Sequence, residues 1–175
     1  SDRRFGVGCD QLIEIKSSKT EDIFMKIYNS DGSEAEACGN AARCVAGIWF
    51  ASSPKKIISI ETISGIIKAE SEVNGNIRVD MGMPKFFWKD IPLIKKVENI
   101  NFKQFSLING MAINIGNPHI VFFVNNLDNI NIEKIGPQIE KNKLFPNKVN
   151  VEICQIISKE KIKALVWERG AGKTL

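Results

Sequence analysis

Residues 41–51 form a run that carries a single charge, on Arg43, and otherwise consists of Ala, Cys, Val, Gly, Ile, Trp and Phe. A helix that is apolar on nearly every side is stable only when the rest of the protein covers it. Proline cannot continue a helical hydrogen-bond ladder, so Pro54 ends this segment. The run therefore predicts a buried helix that begins close to Cys38 or Asn40.

Short runs with β-type alternation flank this helix on both sides. The strands that we predict cover residues 12–16, 23–29, 57–62, 66–72, 76–81, 120–124, 149–157 and 161–167. Residues 102–108 and 111–115 are predicted to form a hairpin, because Asn109-Gly110 between them is a strong two-residue turn signal. A second helix is predicted over residues 132–142, with Pro137 in its first turn. Gly82-Met83-Pro84 interrupts the pattern, and we place a domain boundary there, which gives domains at 1–81 and 82–175.

The composition excludes several classes of protein. Of the 175 residues, 43% are hydrophobic and 25% charged, the balance of a soluble globular protein. The net charge of +4 is spread over scattered lysines, so we expect no nucleic-acid partner. No apolar run is long enough to span a membrane, and no leader segment opens the sequence, which favours the cytoplasm. The first residues, Ser1-Asp2-Arg3, and the last are interpreted as interior segments of a longer protein.

The cysteines do not suggest a scaffold of disulfides or a metal site. Cys9, Cys38, Cys44 and Cys154 are irregularly spaced, form no C-x-x-C and accompany only one histidine. Reduced thiols are the default expectation, and one of them is available as a nucleophile or base.

Two glycine-rich strings resemble nucleotide-binding loops but fail on spacing. The string Gly170-Ala171-Gly172-Lys173-Thr174 matches the end of a P-loop, but Trp167 occupies the position of its first glycine. Gly6-Val7-Gly8 begins a G-x-G-x-x-G in which Gln11 replaces the third glycine, and no strand precedes it. We therefore do not favour a nucleotide-binding module.

The strongest chemical signal is the segment from Asn29 to Cys44, in which a small polar loop leads a thiol to the start of the predicted helix. The N–H groups and the dipole at a helix N-terminus bind anions and favour the thiolate form of a cysteine. Alternatively, Cys38 is a small buried residue near a helix cap, which is the commoner fate of a single cysteine. Cys9, Cys44 and Cys154 fit this second interpretation better than Cys38 does.

Two further loops carry chemical groups. His119, the only histidine, follows an Asn-Pro turn at the start of a strand, and Glu168-Arg169 ends another strand. Taken singly, the histidine is more often structural than catalytic, and the charged pair is more often an ordinary surface pair.

Together, these strings resemble the diaminopimelate epimerase family. They run in order as D-Q at residues 10–11, N-x-D-G-S-E-x-x-x-C-G-N-x-x-R-C at 29–44, G-N-P-H at 116–119, F-P-x-x-V-N-V at 145–151 and E-R-G-x-G at 168–172. The resemblance implies an α/β (α+β) fold of two similar domains, each with a mostly antiparallel or mixed sheet wrapped around a central helix. It places the active site in the cleft between the domains, with one cysteine from each.

The resemblance also assigns roles to individual residues. Cys38 matches the first catalytic cysteine, and His119 and Glu168 match groups that help set thiol protonation. Arg169 and Glu168 match a pair at the pocket, where the guanidinium suits a carboxylate. The remaining matches are groups that contact the substrate: Gln11, Asn29, Gly39, Asn40, Asn117 and Asn150.

This sequence departs from the family pattern in four respects. The family's opening glycine-asparagine loop is absent, and so is the A-C-G-T-type loop that carries the second catalytic cysteine. Ala41 replaces a commoner glycine, and Lys173 stands where the family often has Glu. Without the second thiol and the family's first strand, the 175-residue chain alone is expected to be inactive and of low stability.

The mechanism that the resemblance implies uses two bases. One thiolate removes the α-proton while the opposing thiol donates a proton to the other face, which interconverts LL- and meso-diaminopimelate for lysine and peptidoglycan synthesis. The resemblance implies a small-molecule substrate, and it implies no metal, no organic cofactor and no membrane partner. It does not decide whether the protein forms a homodimer. Three alternatives share the fold: a proline or hydroxyproline racemase, a PhzF-like isomerase that uses a carboxylate, and a non-catalytic binding protein.

Overall fold

The computed structural model describes residues 4–174 and divides into two compact units, one ending at Met83 and the other beginning at Pro84. Residues 1–3, interpreted above as an interior segment, lie outside the described part, as does Leu175. Within the described part, no helix has the length and apolar character needed to cross a membrane.

The described part of the first unit, residues 4–83, contains six strands and one helix. The strands are β1 (Gln11–Lys16), β2 (Ile23–Asn29), β3 (Glu34–Ala35), β4 (Ile57–Thr62), β5 (Gly65–Ser71) and β6 (Ile77–Asp80), and the helix is α1 (Gly39–Ser52). The sheet order is β1-β2-β4-β5-β6, with β3 also paired to β2. The pairing of β2 with β4 is parallel and all others are antiparallel, so the sheet is mixed. In strand β2, Ile23, Met25 and Ile27 all face the core. This one-sided burial produces the alternation of side chains seen in the sequence.

Helix α1 packs on this sheet with one face only, which corrects the prediction that it is buried all round. Its buried residues are Ala41, Ala42, Val45 and Ala46, and the helix contacts β4, β5 and β6. Ile48 is 66% exposed. A helix laid on one side of a sheet has only one stripe of side chains to bury, whatever the composition of the opposite face.

Over residues 84–174, the second unit also contains six strands and one α-helix. The strands are β7 (Ile100–Phe102), β8 (Leu107–Asn114), β9 (Pro118–Phe123), β10 (Asn150–Ser158), β11 (Lys161–Glu168) and β12 (Gly172–Thr174), and the helix is α2 (Ile132–Glu140). The sheet order is β12-β11-β10-β9-β8-β7, and β9 and β10, which flank α2 in the chain, are its one parallel pair. Ile120, Phe122, Val151 and Ile153 pack with Ile139 of α2 in the core.

The predicted hairpin across Asn109-Gly110 is wrong. Strand β8 runs straight through these residues, and the chain instead reverses at the 3-10 turn Lys103–Phe105, where Ser106 takes a left-handed φ of 57°. Asn109 has a φ of 53° and sits at a register shift between β7 and β8, so the local signal marks a β-bulge. Gly110 is required by packing, because a Cβ there would lie 2.4 Å from Phe122 Cε1.

One other local prediction also needs correction. Pro137 lies inside α2 and not in its first turn, because the helix begins at Ile132 behind an Asn131 cap whose Oδ1 accepts from the Lys134 N–H at 3.1 Å. Gly172–Thr174, part of the string that resembled a nucleotide-binding loop, forms strand β12 against β11. A strand at this position is incompatible with the P-loop alternative, in which the same residues would open a helix.

The register of the strands reveals an internal repeat. Leu12 pairs with Tyr28 and Tyr28 with Glu34, while Val151 pairs with Trp167 and Trp167 with Lys173. Every position in the second set is displaced by 139 residues from its counterpart, as Leu12 is from Val151 and Tyr28 from Trp167. The triplet β1-β2-β3 therefore has the same register as β10-β11-β12.

Candidate active site

Cys38 caps the N-terminus of α1. Its Sγ accepts a hydrogen bond from the backbone N–H of Ala41 at 3.4 Å, and its carbonyl accepts from Ala42 at 3.0 Å. No acidic side chain lies in the first turn of the helix to offset the positive end of its dipole. The thiol is half-buried, so it combines accessibility with the helix-end field that favours a negative charge on sulfur.

Gln11 and Asn29 meet at the end of the β1–β2 pair. Gln11 Nε2 donates to Asn29 Oδ1 at 3.1 Å, and Asn29 Nδ2 donates to Ser33 Oγ at 3.1 Å. Ser33 is held in turn by Asp31, whose Oδ1 accepts from both its N–H and its hydroxyl. Asn29 is 4% exposed, so its side chain organises the loop that leads to Cys38. The motif revealed Asn29, but only the structure shows this organising role.

Gly39 and Asn40 follow the thiol at the helix start. A Cβ on Gly39 would meet Met81 Sδ at 3.5 Å, an ordinary contact, so packing within this unit does not require glycine there. The exposed Asn40 side chain accepts from Arg43 Nη2. Arg43, which sequence reasoning left without a role, therefore orients this amide.

In the second unit His119 is held between two oxygen atoms. Its Nδ1 lies 2.7 Å from Glu152 Oε1, and its Nε2 lies 2.7 Å from Asn117 Oδ1. The side chains of His119 and Glu152 are 19% and 16% exposed. Sequence reasoning missed Glu152, because its partner lies 33 positions away and only the parallel β9–β10 register brings the two together.

Asn150 and Arg169 meet where β10 begins and β11 ends. The Arg169 backbone N–H donates to Asn150 Oδ1 at 2.8 Å, and Asn150 Nδ2 donates to the Pro118 carbonyl at 3.0 Å. Asn150 is 4% exposed. Both ends of its amide serve protein groups, so the geometry makes it a positioning residue for the neighbouring loops. Arg169 Nη1 also donates to the Asn147 carbonyl at 3.0 Å.

The other cysteines differ in their surroundings. Cys154 is buried, and burial together with the nearby Glu152 charge raises the pKa of its thiol. Cys44 is exposed on α1, which corrects the expectation that it is a small buried residue. Cys9 is half-buried. Among residues 4–174, no three His, Cys, Asp or Glu side chains converge as a metal site would require.

The internal repeat places four of the predicted site residues at matching positions. A displacement of 139 carries Gln11 onto Asn150 and Asn29 onto Glu168. Each unit therefore presents a polar pair at the same end of the same two strands. The turns that follow Asn29 and Glu168 are also alike. The backbone carbonyl of Asn29 accepts from the N–H of Gly32, and the backbone carbonyl of Glu168 accepts from the N–H of Ala171.

Comparisons with known proteins point to one family. The family model described as Diaminopimelate epimerase matches residues 1–87 and 111–175. A diaminopimelate epimerase of Pelagibacter ubique is 45% identical and one of Carboxydothermus hydrogenoformans is 48% identical, each over 99% of this chain. The chain spans 65% of the length of both relatives.

Solved structures show the same fold at low sequence identity. A phenazine biosynthesis protein of the PhzF family from Bacillus anthracis has a TM-score of 0.61 and 17% identity, covering 95% of this chain and 61% of its own. A hydroxyproline epimerase from Agrobacterium vitis has a TM-score of 0.60 and 12% identity, covering 93% of this chain and 53% of its own. These similarities confirm the predicted fold class.

Proposed function

Because the chain belongs to the diaminopimelate epimerase family, we propose that the protein interconverts LL- and meso-diaminopimelate by moving the proton on one α-carbon. The observation that carries the proposal is the position of Cys38, whose sulfur accepts the Ala41 N–H at the first turn of α1. The proposed substrate combines an α-hydrogen with a neighbouring carboxylate. The start of a helix can serve both, since it favours the thiolate and attracts the carboxylate.

The chemical difficulty is the very weak acidity of the α-hydrogen. Negative charge flows into the α-carboxylate as the proton leaves, and fixed backbone N–H dipoles stabilise that charge without having to reorganise. The N–H groups at the start of α1, together with the Asn40 side chain that Arg43 orients, are suited to this task. The half-buried Cys38 thiolate is the base on this side of the substrate.

Inversion of configuration needs a second acid-base group on the opposite face of the α-carbon. The internal repeat supports a specific position for it. Cys38 lies nine residues after Asn29, and the repeat equates Asn29 with Glu168. The corresponding position, nine residues after Glu168, is not among the 175 residues of the sequence. We propose that the protein carries the second cysteine there, beside Glu168 and Arg169.

We also propose roles for three polar side chains of the second unit. Arg169 is suited to a substrate carboxylate, since its guanidinium presents two parallel N–H groups. His119 and Glu168 are proposed to set the protonation of the thiols. Three properties stay predictions: location in the cytoplasm, a role in the synthesis of lysine and peptidoglycan precursors, and assembly as a homodimer.

The test compares Cys38→Ala with Cys44→Ala in the full-length protein. Cys38→Ala should lower LL-to-meso conversion, and uptake of solvent deuterium at the α-carbon, by about 10²–10⁴-fold, the usual contribution of a positioned acid-base group. Cys44→Ala should leave both unchanged, because that thiol is exposed on the same helix away from its N-terminus. Full turnover by Cys38→Ala would remove this sulfur from the reaction.

A substrate panel tests the specificity separately. L-proline and 4-hydroxy-L-proline should not be racemised under conditions in which LL-diaminopimelate is converted. Conversion of either cyclic amino acid in preference to diaminopimelate would assign the protein to another racemase of the same fold.

A further inference from the structure

The geometry points to Glu140, the last residue of α2, as a positioning residue that fixes the place of the Arg169 guanidinium. The inference rests on the proposed function, in which Arg169 binds a carboxylate of the substrate, and it deepens that function. The Glu140 carboxylate contacts each of the two chain segments that hold Arg169. Trp167 Nε1 donates to Glu140 Oε2 at 2.7 Å, and Lys148 Nζ lies 3.8 Å from Glu140 Oε1.

The first contact fixes the end of strand β11. Trp167 lies on β11, two residues before Arg169. Its indole also packs on α2, because a Cβ added to Gly136 would lie 2.5 Å from Trp167 Cγ. A hydrogen bond to a charged carboxylate is stronger than one between neutral groups, so the indole is held both by packing and by Glu140. The backbone of Arg169 therefore follows from a point that is fixed on the helix.

The second contact reaches the segment that leads into β10. Lys148 has a φ of 59°, in the left-handed region that residues other than glycine rarely adopt. Its N–H donates to the Phe145 carbonyl at 2.9 Å, and its ammonium lies beside Glu140. The preceding residue, Asn147, supplies the carbonyl that accepts from Arg169 Nη1 at 3.0 Å. Glu140 therefore helps to hold the turn to which the guanidinium is bound.

The two segments meet at Arg169. Its backbone N–H donates to Asn150 Oδ1 at 2.8 Å, and its Nη1 donates to the Asn147 carbonyl at 3.0 Å. Lys148 lies between these two asparagines in the chain, so its contact ties their segment to the carboxylate that also holds Trp167. Loss of that carboxylate should let the guanidinium shift relative to the substrate.

A glutamate at position 140 is unfavourable for stability on two counts. The residue is 4% exposed, and an ion pair does not by itself offset the cost of taking a carboxylate out of water. It also ends α2, whose last turn carries no basic side chain, and the dipole at this end of a helix repels a negative charge. Stability alone therefore does not account for a carboxylate here, whereas a role in holding two segments does.

Kinetics of the full-length protein test the inference. Lys148→Met removes the ammonium and keeps the stem, Trp167→Phe removes the indole N–H, and Glu140→Ala removes both contacts. Each single-contact variant should raise the KM for diaminopimelate about threefold or more, and Glu140→Ala about tenfold or more, with a smaller change in kcat. A misplaced guanidinium weakens binding of the carboxylate in the ground state and the transition state alike, which raises KM. A fall in kcat at unchanged KM would instead indicate loss of folded protein, and it would contradict the inference.

Glu133→Gln is the matched control, because Glu133 is an exposed acid on the same helix and lies 3.8 Å from Lys173. It should leave both KM and kcat unchanged. An unchanged KM in folded Glu140→Ala would overturn the inference. If Glu140→Ala does not fold, the two single-contact variants decide, and an unchanged KM in both has the same consequence.

A double variant shows whether Glu140 acts through Arg169. Arg169→Gln removes the guanidinium, and adding Glu140→Ala to it should raise KM no further. A further rise as large as that of Glu140→Ala alone would refute the proposed role, because the effect would then bypass Arg169.

A spectroscopic measurement keeps this inference separate from the proposed reaction. In protein labelled with ¹⁵N-arginine, the side-chain signal that disappears in Arg169→Gln reports on the Arg169 Nε–H. It should shift or broaden in Glu140→Ala and stay unchanged in Glu133→Gln, and an unchanged signal in both would remove the role of Glu140. Failure of the unaltered full-length protein to convert diaminopimelate would instead remove the proposed reaction, while this signal would still decide whether Glu140 positions the guanidinium.

Discussion

The packing of α2 against β11 leads to a quantitative prediction at Gly136. An added Cβ there would lie 2.5 Å from Trp167 Cγ and 2.8 Å from Trp167 Cβ, both far inside van der Waals contact. The indole cannot move away freely, because its Nε1 donates to the buried Glu140 Oε2 at 2.7 Å. Gly136→Ala should therefore force either the helix or the strand to shift.

Two opposing contributions to the free energy of unfolding decide whether Gly136→Ala stabilises or destabilises the protein. Alanine in place of glycine inside a helix is favourable by about 1 kcal/mol. Overpacking a well-filled core costs about 1–3 kcal/mol, and breaking the indole hydrogen bond about 1 kcal/mol more. Gly136→Ala should thus be destabilising by about 1–3 kcal/mol overall.

Gly47→Ala is the matched control, since Gly47 also lies inside a helix. Its added Cβ would meet only Ile77 Cδ1 at 3.3 Å, the far end of a flexible side chain. This substitution should be neutral or stabilising, by up to about 1 kcal/mol.

Urea unfolding followed by far-ultraviolet circular dichroism measures both variants. With an m-value of about 2 kcal/mol/M, Gly136→Ala should lower the urea midpoint by about 0.5–1.5 M while Gly47→Ala leaves or raises it. The reasoning is refuted if Gly136→Ala is as stable as the unaltered protein. Trp167 or the helix would then have moved away from the added Cβ without loss of stability.

Two further predictions concern ionisable groups. Hydrogen bonds from Lys55 and Ser59 lower the pKa of Asp22, so its stabilisation should be present above the unfolded pKa of about 3.9 and be lost as the pH falls through the lower folded value. Asp22→Asn should therefore cost about 1 kcal/mol at pH 7, and this difference should disappear in acid unfolding as the pH falls through the folded value; a constant difference at all pH values would contradict this. Burial raises the pKa of the Cys154 thiol, so iodoacetamide at pH 7.5 should label the exposed Cys44 at least about tenfold faster, as judged by peptide mass spectrometry. Labelling in the reverse order would show that the two environments are assigned wrongly.

Most strands could be predicted from local patterns. The alternation in residues 23–29 and 57–62 gives the observed bounds of β2 and β4, because side chains that alternate between core and solvent leave a period of two in the sequence. The start of α1 after Cys38 and its end before Pro54 also follow from local chemistry. The local signal failed at Asn109-Gly110, where the aromatic ring of Phe122, a residue on another strand, requires the glycine.

The sequence motifs propose members of the candidate site, but they do not reveal the contacts between those residues. Ordered motifs identified Cys38, His119 and Asn150, but nothing near His119 in the chain indicates Glu152, which reaches it through the parallel pairing of β9 with β10. Likewise, the motif marks Asn150 without revealing that its amide holds the Pro118 carbonyl and the Arg169 N–H. Such partners depend on register between distant segments, which local spacing does not encode.

The sequence by itself determined most of the strand and helix segments, the loop that leads to Cys38 at a helix start, and the family to which the chain belongs, because each depends on the order and spacing of neighbouring residues. Only the tertiary structure decided that α1 covers one face of its sheet, that β1-β2-β3 recurs as β10-β11-β12, and that His119 lies between two oxygens. These features arise from contacts between residues far apart in the chain, where the energy of packing and of satisfying buried polar groups outweighs local preference.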